Sequence, residues 1–291
     1  MGAPPHLPAK KASVAATEAH PEAAMDPSSE AAKEFRIPDD ALLKLKALSD
    51  VHDSRKLVSA MRDIVSKLIY LWEEDRTHRD VAIWSTAVDQ DDNGVLLDLD
   101  LGCRNERATI PRCEMGYYRS GSFHFGALCK LRHPYNYHEM LYDMESCFWV
   151  LCYAALENFG SNYYSPLINI LSDSRDYSHS EVPLTTPTWS ASPSRERFMF
   201  REINFVKNEP LTRLVQSLQS FFKDIRTKYC DYRYYSEISY KLLRRHLYRN
   251  PESFVGFYEK ALAHNEWRHQ EKQPVVELEE VFREGWIWFD A

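Results

Sequence analysis

The sequence predicts a mainly α protein with one small β-hairpin. Three observations carry that expectation. Apolar stripes at helical spacing recur along the chain. One pair of extended runs flanks an Asn-Gly. Only 9 glycines occur in 291 residues, too few for a fold built on glycine loops and tight hairpins. Hydrophobic residues make up 44% and aromatics 13%, enough to fill a core. The balance of 36 Lys+Arg against 43 Asp+Glu, a net charge of −7, excludes a nucleic-acid binder working by bulk positive charge. No apolar run approaches the ~20 residues of a membrane span, and the first residues, M-G-A-P-P-H-L-P-A-K-K, hold no export signal. The expected location is intracellular, cytoplasmic or nuclear. Six cysteines show no C-x-x-C and no histidine at zinc spacing, so they read as free thiols.

Residues 1–35 are Ala, Pro, Glu, Lys and Ser without a periodic apolar face, and are expected to form a disordered N-terminal arm. The domain then spans 36–291. Pro38-Asp39-Asp40 caps a first short helix carrying Leu42, Leu43, Leu45 and Leu48. A longer helix runs from Ser54, where Leu57, Val58, Met61, Ile64, Val65, Leu68, Ile69 and Trp72 make one stripe. Two extended runs follow, Val81–Val88 and Val95–Leu101, joined through Asp89–Gly94 and ending in Asn-Gly, a hairpin signal. From 102 to 137 the chain is irregular. Leu141–Leu156 is apolar on nearly all sides and belongs at the centre of a helical domain. Asp173–Arg197, rich in Ser, Pro and Thr, reads as a surface loop. Helices over 211–225, 234–248 and 252–264 complete the chain.

If Val88 lies near Val95, counting back along both strands brings Asp80 and Asp100 to one end of the hairpin. By spacing alone, these are equally two solvated aspartates at strand ends. Their neighbours add more. His78-Arg79-Asp80 stands before the hairpin and Asp100-Leu101-Gly102 closes it, behind a long amphipathic helix. Together these resemble the catalytic core of a protein kinase. The closer resemblance is to the fungal-type protein kinase family, whose pattern runs H-R-D-I-S, a strand ending I-D-F-D-L-A, R-T-G-T, and H-D-L-E-S-F-F-W-V-L-L. Here the blocks read His78-Arg79-Asp80-Val81-Ala82, Leu97-Asp98-Leu99-Asp100-Leu101-Gly102, Arg119-Ser120-Gly121-Ser122 and Tyr142–Leu151. They define a motif-bearing core over 55–157, ahead of a helical part over 198–291.

The resemblance implies a protein-kinase-like C-lobe and an ATP-dependent Ser/Thr protein kinase. It implies that Asp80 accepts the proton of the substrate hydroxyl and that Asp100, beside Gly102, holds Mg²⁺ against the ATP phosphates. Arg79 would tie the catalytic loop to the activation segment, Ser120, Gly121 and Ser122 would line the substrate end, and His78 and Asp143 would be structural. The sequence also departs from the pattern. The second metal position, five residues after Asp80, holds Ser85, a weaker Mg²⁺ ligand than the usual Asn. Cys129 replaces the acid that closes the activation segment, which predicts loose anchoring. No glycine lies between Gly2 and Gly94, so no glycine-rich loop precedes the catalytic triplet and no N-lobe is encoded there. The expectation is therefore weak binding of ATP and Mg²⁺ and negligible turnover. The alternative is a pseudokinase-like module that binds a protein. The partner is a protein substrate or protein partner, with no nucleic acid and no membrane.

Overall fold

A computed structural model describes residues 42, 44–74, 76–99, 103–104, 123–128, 138–163, 167–171, 193–229 and 251–267, all within one unit, Ile37–Ala291. The arm expected over 1–35 and the helix expected over 234–248 lie outside the described residues. So do Asp100, Gly102, Ser120, Gly121, Ser122 and Cys129.

The fold is mainly α. Its helices are Ser54–Glu73 (α1), Met140–Asn158 (α2), Leu167–Leu171 (α3), Pro193–Met199 (α4), Glu209–Tyr229 (α5) and Glu252–Leu262 (α6). Strands Lys46–Ala47 (β1), Thr86–Val88 (β3) and Gly94–Leu96 (β4) form one antiparallel sheet in the order β1-β3-β4. Arg76–Thr77 (β2) and Cys103–Arg104 (β5) form a second. Among the described residues, no helix is long and apolar enough to cross a membrane.

Asp53 starts α1, its Oδ1 accepting the N–H groups of Arg55 and Lys56 at 2.9 and 3.0 Å. The stripe from Leu57 to Ile69 is buried along its length. Each such side chain contributes roughly 1.5–3 kcal/mol when removed from water, so packing rather than propensity holds the helix. In α2 every residue from Met140 to Ala155 except Tyr153 is buried. This helix is the hub: α1, α3, α5 and the turns Leu48–Asp50 and Phe123–Phe125 pack around it, and α6 closes on α1 and α5. Rings fill the seam, with Phe148 against Phe222 at 5.6 Å and Phe254 against Phe221 at 5.6 Å. Cys147 and Cys152 on α2 are free and buried. Burial pushes both thiols well up, helped at Cys147 by the charge of Asp143.

Two asparagines tie helix ends together. Asn158, at the end of α2, donates to Ser49 O at 2.6 Å and meets His52 Nδ1 at 2.8 Å. Asn208 caps α5 by accepting Leu211 N–H, and donates to Ser54 Oγ at the start of α1 at 2.8 Å.

The β structure differs from expectation in three ways. The hairpin strands are three residues long, because the chain from Ile83 to Ser85 curls into a 3₁₀ turn instead of extending. The strands pair Val88 with Gly94, Ala87 with Val95 and Thr86 with Leu96, so Val88 lies near Val95 as expected. Asn93-Gly94 is not the turn. Asp89 closes the loop itself, its Oδ1 accepting the N–H groups of Asp91 and Asn93 at 2.9 and 2.8 Å, and Asp92 takes the positive φ of 64°. Gly94 sits in β4 for another reason. A Cβ there would stand 1.9 Å from Ala60 O, so only glycine lets the strand lie against α1. Within the stretch expected as a first helix, Leu42 is helical and Leu48–Asp50 is a 3₁₀ turn, but Lys46–Ala47 between them is a strand paired with β3. The expected surface loop 173–197 ends in α4, whose Arg195 and Phe198 are fully buried.

Candidate active site

The short ladder of β2 with β5 pairs Arg76 with Arg104 and Thr77 with Cys103. His78-Arg79-Asp80 leaves β2 directly. Arg76 Nη2 donates to Leu99 O at 3.1 Å and His78 Nε2 to Leu97 O at 2.7 Å. These bonds hold the triplet against the chain that leads to Asp100. Asp100 itself, with Gly102, lies outside the described residues.

Asp143 organises the triplet from α2. Its Oδ2 accepts the N–H of His78 and its Oδ1 the N–H of Arg79, both at 3.0 Å. Arg79 has φ 74°, a left-handed backbone that costs a non-glycine residue roughly 1–2 kcal/mol. Two hydrogen bonds to a buried carboxylate contribute roughly 1.5–3 kcal/mol each, so the turn is held against its own strain. Arg79 Nε also meets Thr77 Oγ1 at 3.3 Å.

Asp80 is half-buried, and its main chain is fixed on both sides. Its N–H donates to His78 Nδ1 at 3.3 Å and its carbonyl accepts from Ser85 Oγ at 2.8 Å. Ser85 Oγ also accepts the N–H of Ala82 at 2.9 Å and is fully buried. The oxygen of Ser85, the residue expected at the second metal position, faces the turn that carries Asp80 and closes the loop. Among the described residues there is no group of three His, Cys, Asp or Glu side chains able to hold a metal ion. A Mg²⁺ at this site would depend on Asp100.

Two further groups escaped the sequence reading. His138 donates through Nε2 to Asp143 Oδ1 at 2.7 Å, with only 11% of its side chain exposed. Glu139 beside it is buried as well. Arg195 donates Nη1 to Gly126 O at 2.9 Å, and Nη2 to His124 O at 2.7 Å and Leu171 O at 2.9 Å. Burial lowers its guanidinium to about 10, opposed by the charge of Glu145, so it stays a cation at neutral pH. Glu145 Oε1 accepts Leu128 N–H at 2.8 Å. Cys129, on which loose anchoring was expected, lies outside the described residues, while the stretch 123–128 is thus held by buried charges. Ser120, Gly121 and Ser122, just ahead of it, lie outside the described residues. Trp84, on the catalytic turn, is 53% exposed and meets Phe125 edge-on at 5.5 Å.

A helical lobe built around one buried helix, with an His-Arg-Asp turn pinned by an aspartate of that helix, is the arrangement of a protein kinase C-lobe. Residues 44–155 match the family described as fungal protein kinase. No curated protein matches the chain.

Proposed function

We propose that the chain carries the catalytic loop of an ATP- and Mg²⁺-dependent Ser/Thr protein phosphotransferase. In this reading the substrate hydroxyl oxygen bonds to the γ-phosphorus while the bond to the β–γ bridging oxygen breaks. ADP departs and the hydroxyl proton passes to Asp80. Asp100, next to Gly102, serves the metal and the phosphates. Arg79 joins the loop to the activation segment, and Ser120, Gly121 and Ser122 receive the substrate.

The observation that carries the reading is the immobilised backbone of Asp80. Bonds from Ser85, His78 and Asp143 set the carboxylate's origin before any substrate arrives, and phosphoryl transfer depends chiefly on positioning. No glycine-rich loop lies between Gly2 and Gly94, so few contacts remain for the phosphates and adenine. We therefore expect weak ATP binding and slow turnover from this polypeptide. A second reading, a non-catalytic module that binds a protein, is favoured by the burial of the Ser85 oxygen.

Thermal unfolding of the purified chain with ATP, with and without Mg²⁺, separates the two. A ligand at a hundred times its Kd adds about 2.7 kcal/mol to stability. A Mg²⁺-dependent rise in Tm that is lost in Asp100→Ala supports the phosphotransferase. Transfer of label from γ-³²P ATP to a serine peptide, abolished by Asp80→Asn at unchanged Tm, would establish it. No shift at millimolar ATP favours the binding module.

A further inference from the structure

Arg195 and Glu145 stand outside the chemistry just proposed, and Arg195 lies beyond the span that matches the family. We propose that these two side chains are positioning residues for the substrate-facing segment, gripping its main chain at alternate residues: His124 O and Gly126 O through the guanidinium, Leu128 N–H through the carboxylate. That the segment faces substrate rests on the kinase reading above, whereas the grip rests on the geometry alone.

Four features make this a built device. Both side chains are buried, and their charges are opposite, so neither buried charge is isolated. The planar fork of Arg195 reaches three carbonyls from three directions, which a point charge on a flexible stem does not do. Trp149 spaces the pair, donating Nε1 to Glu145 Oε1 at 3.3 Å while the Arg195 guanidinium lies 5.8 Å from its ring centre. These three contacts on the segment are to backbone. The anchor is therefore indifferent to the segment's side chains, and the acid missing at Cys129 is not needed for it.

The test is amide hydrogen exchange on the full chain, comparing wild type with Arg195→Lys and Glu145→Gln. Arg195→Lys keeps the charge and loses the fork. Glu145→Gln keeps an acceptor for Leu128 and loses the charge facing Arg195. Each should accelerate exchange across 124–128 by about tenfold or more, while the His78 and Arg79 amides, held by Asp143, stay protected. In parallel phosphotransfer assays, KM for the peptide should rise about tenfold with KM for ATP unchanged. A wild-type chain without transfer activity removes the kinase reading and leaves the exchange result to decide the grip. Unchanged exchange at 124–128 in both variants overturns the proposal. So does acceleration spread equally over 78–79 and α2, which is the pattern of a lobe merely weakened.

Discussion

Burial alone would push the Asp143 carboxyl up. The His138 imidazole hydrogen-bonded to it, with the backbone N–H of His78, outweighs burial and holds the group below its ordinary value. A carboxyl whose folded value lies below its unfolded one, about 3.9, contributes stability in full above that pH. The contribution is lost as pH falls through the folded value. Asp143→Asn retains one acceptor for two N–H donors and leaves His138 without a charged partner. It should cost about 3 kcal/mol at neutral pH, read by urea unfolding, and the gap from wild type should narrow below about pH 4. Exchange at the His78 and Arg79 amides should rise with it. Equal stability of variant and wild type at neutral pH would show that the carboxylate does not hold the turn.

At the scale of elements, one substitution has opposite signs at two glycines. Gly94→Ala drives a methyl into the backbone of Ala60, where nothing flexible can yield, and should cost about 3 kcal/mol. Gly256→Ala, inside α6 with nothing within 4 Å of the added carbon, should stabilise by roughly 0.5–1 kcal/mol. Urea midpoints of the two variants check both. The pair also shows what was legible beforehand. Helices α1, α2, α5 and α6 could be read because their apolar residues repeat over several turns. Strands of two residues, such as β1, β2 and β5, carry no period at all. The Val81–Val88 run looked like one strand because its composition is β-prone. The hydroxyls of Ser85 and Thr86 curl it by bonding back to Asp80 O and Ala82 O, and composition does not report that. The triplet and Asp143 were legible as motifs. Arg195 was not, since a lone arginine in a Ser/Pro-rich run looks like a solvated charge. His138 lies five residues before Asp143, off the end of α2, where no helical spacing points to a contact.

At the scale of the molecule, the site hangs on α2. This helix supplies Asp143 to the His78-Arg79-Asp80 turn and Glu145 to the segment at 124–128, one turn before the residues that pack on α1 and α5. Displacing α2 would therefore release the His78-Arg79-Asp80 turn, the segment at 124–128 and the core together. The two thiols buried in that helix turn this dependence into a clock. Cys147 and Cys152 can meet a thiol reagent only in molecules whose hub has come apart, and burial keeps both protonated until then. Residue-resolved alkylation in native buffer should label both at one common rate, rising with urea along the slope of global unfolding. Labelling of Cys147 ahead of Cys152 would mean that the catalytic end of the helix opens alone. The cysteines would then time how often the lobe takes its own His78-Arg79-Asp80 turn apart.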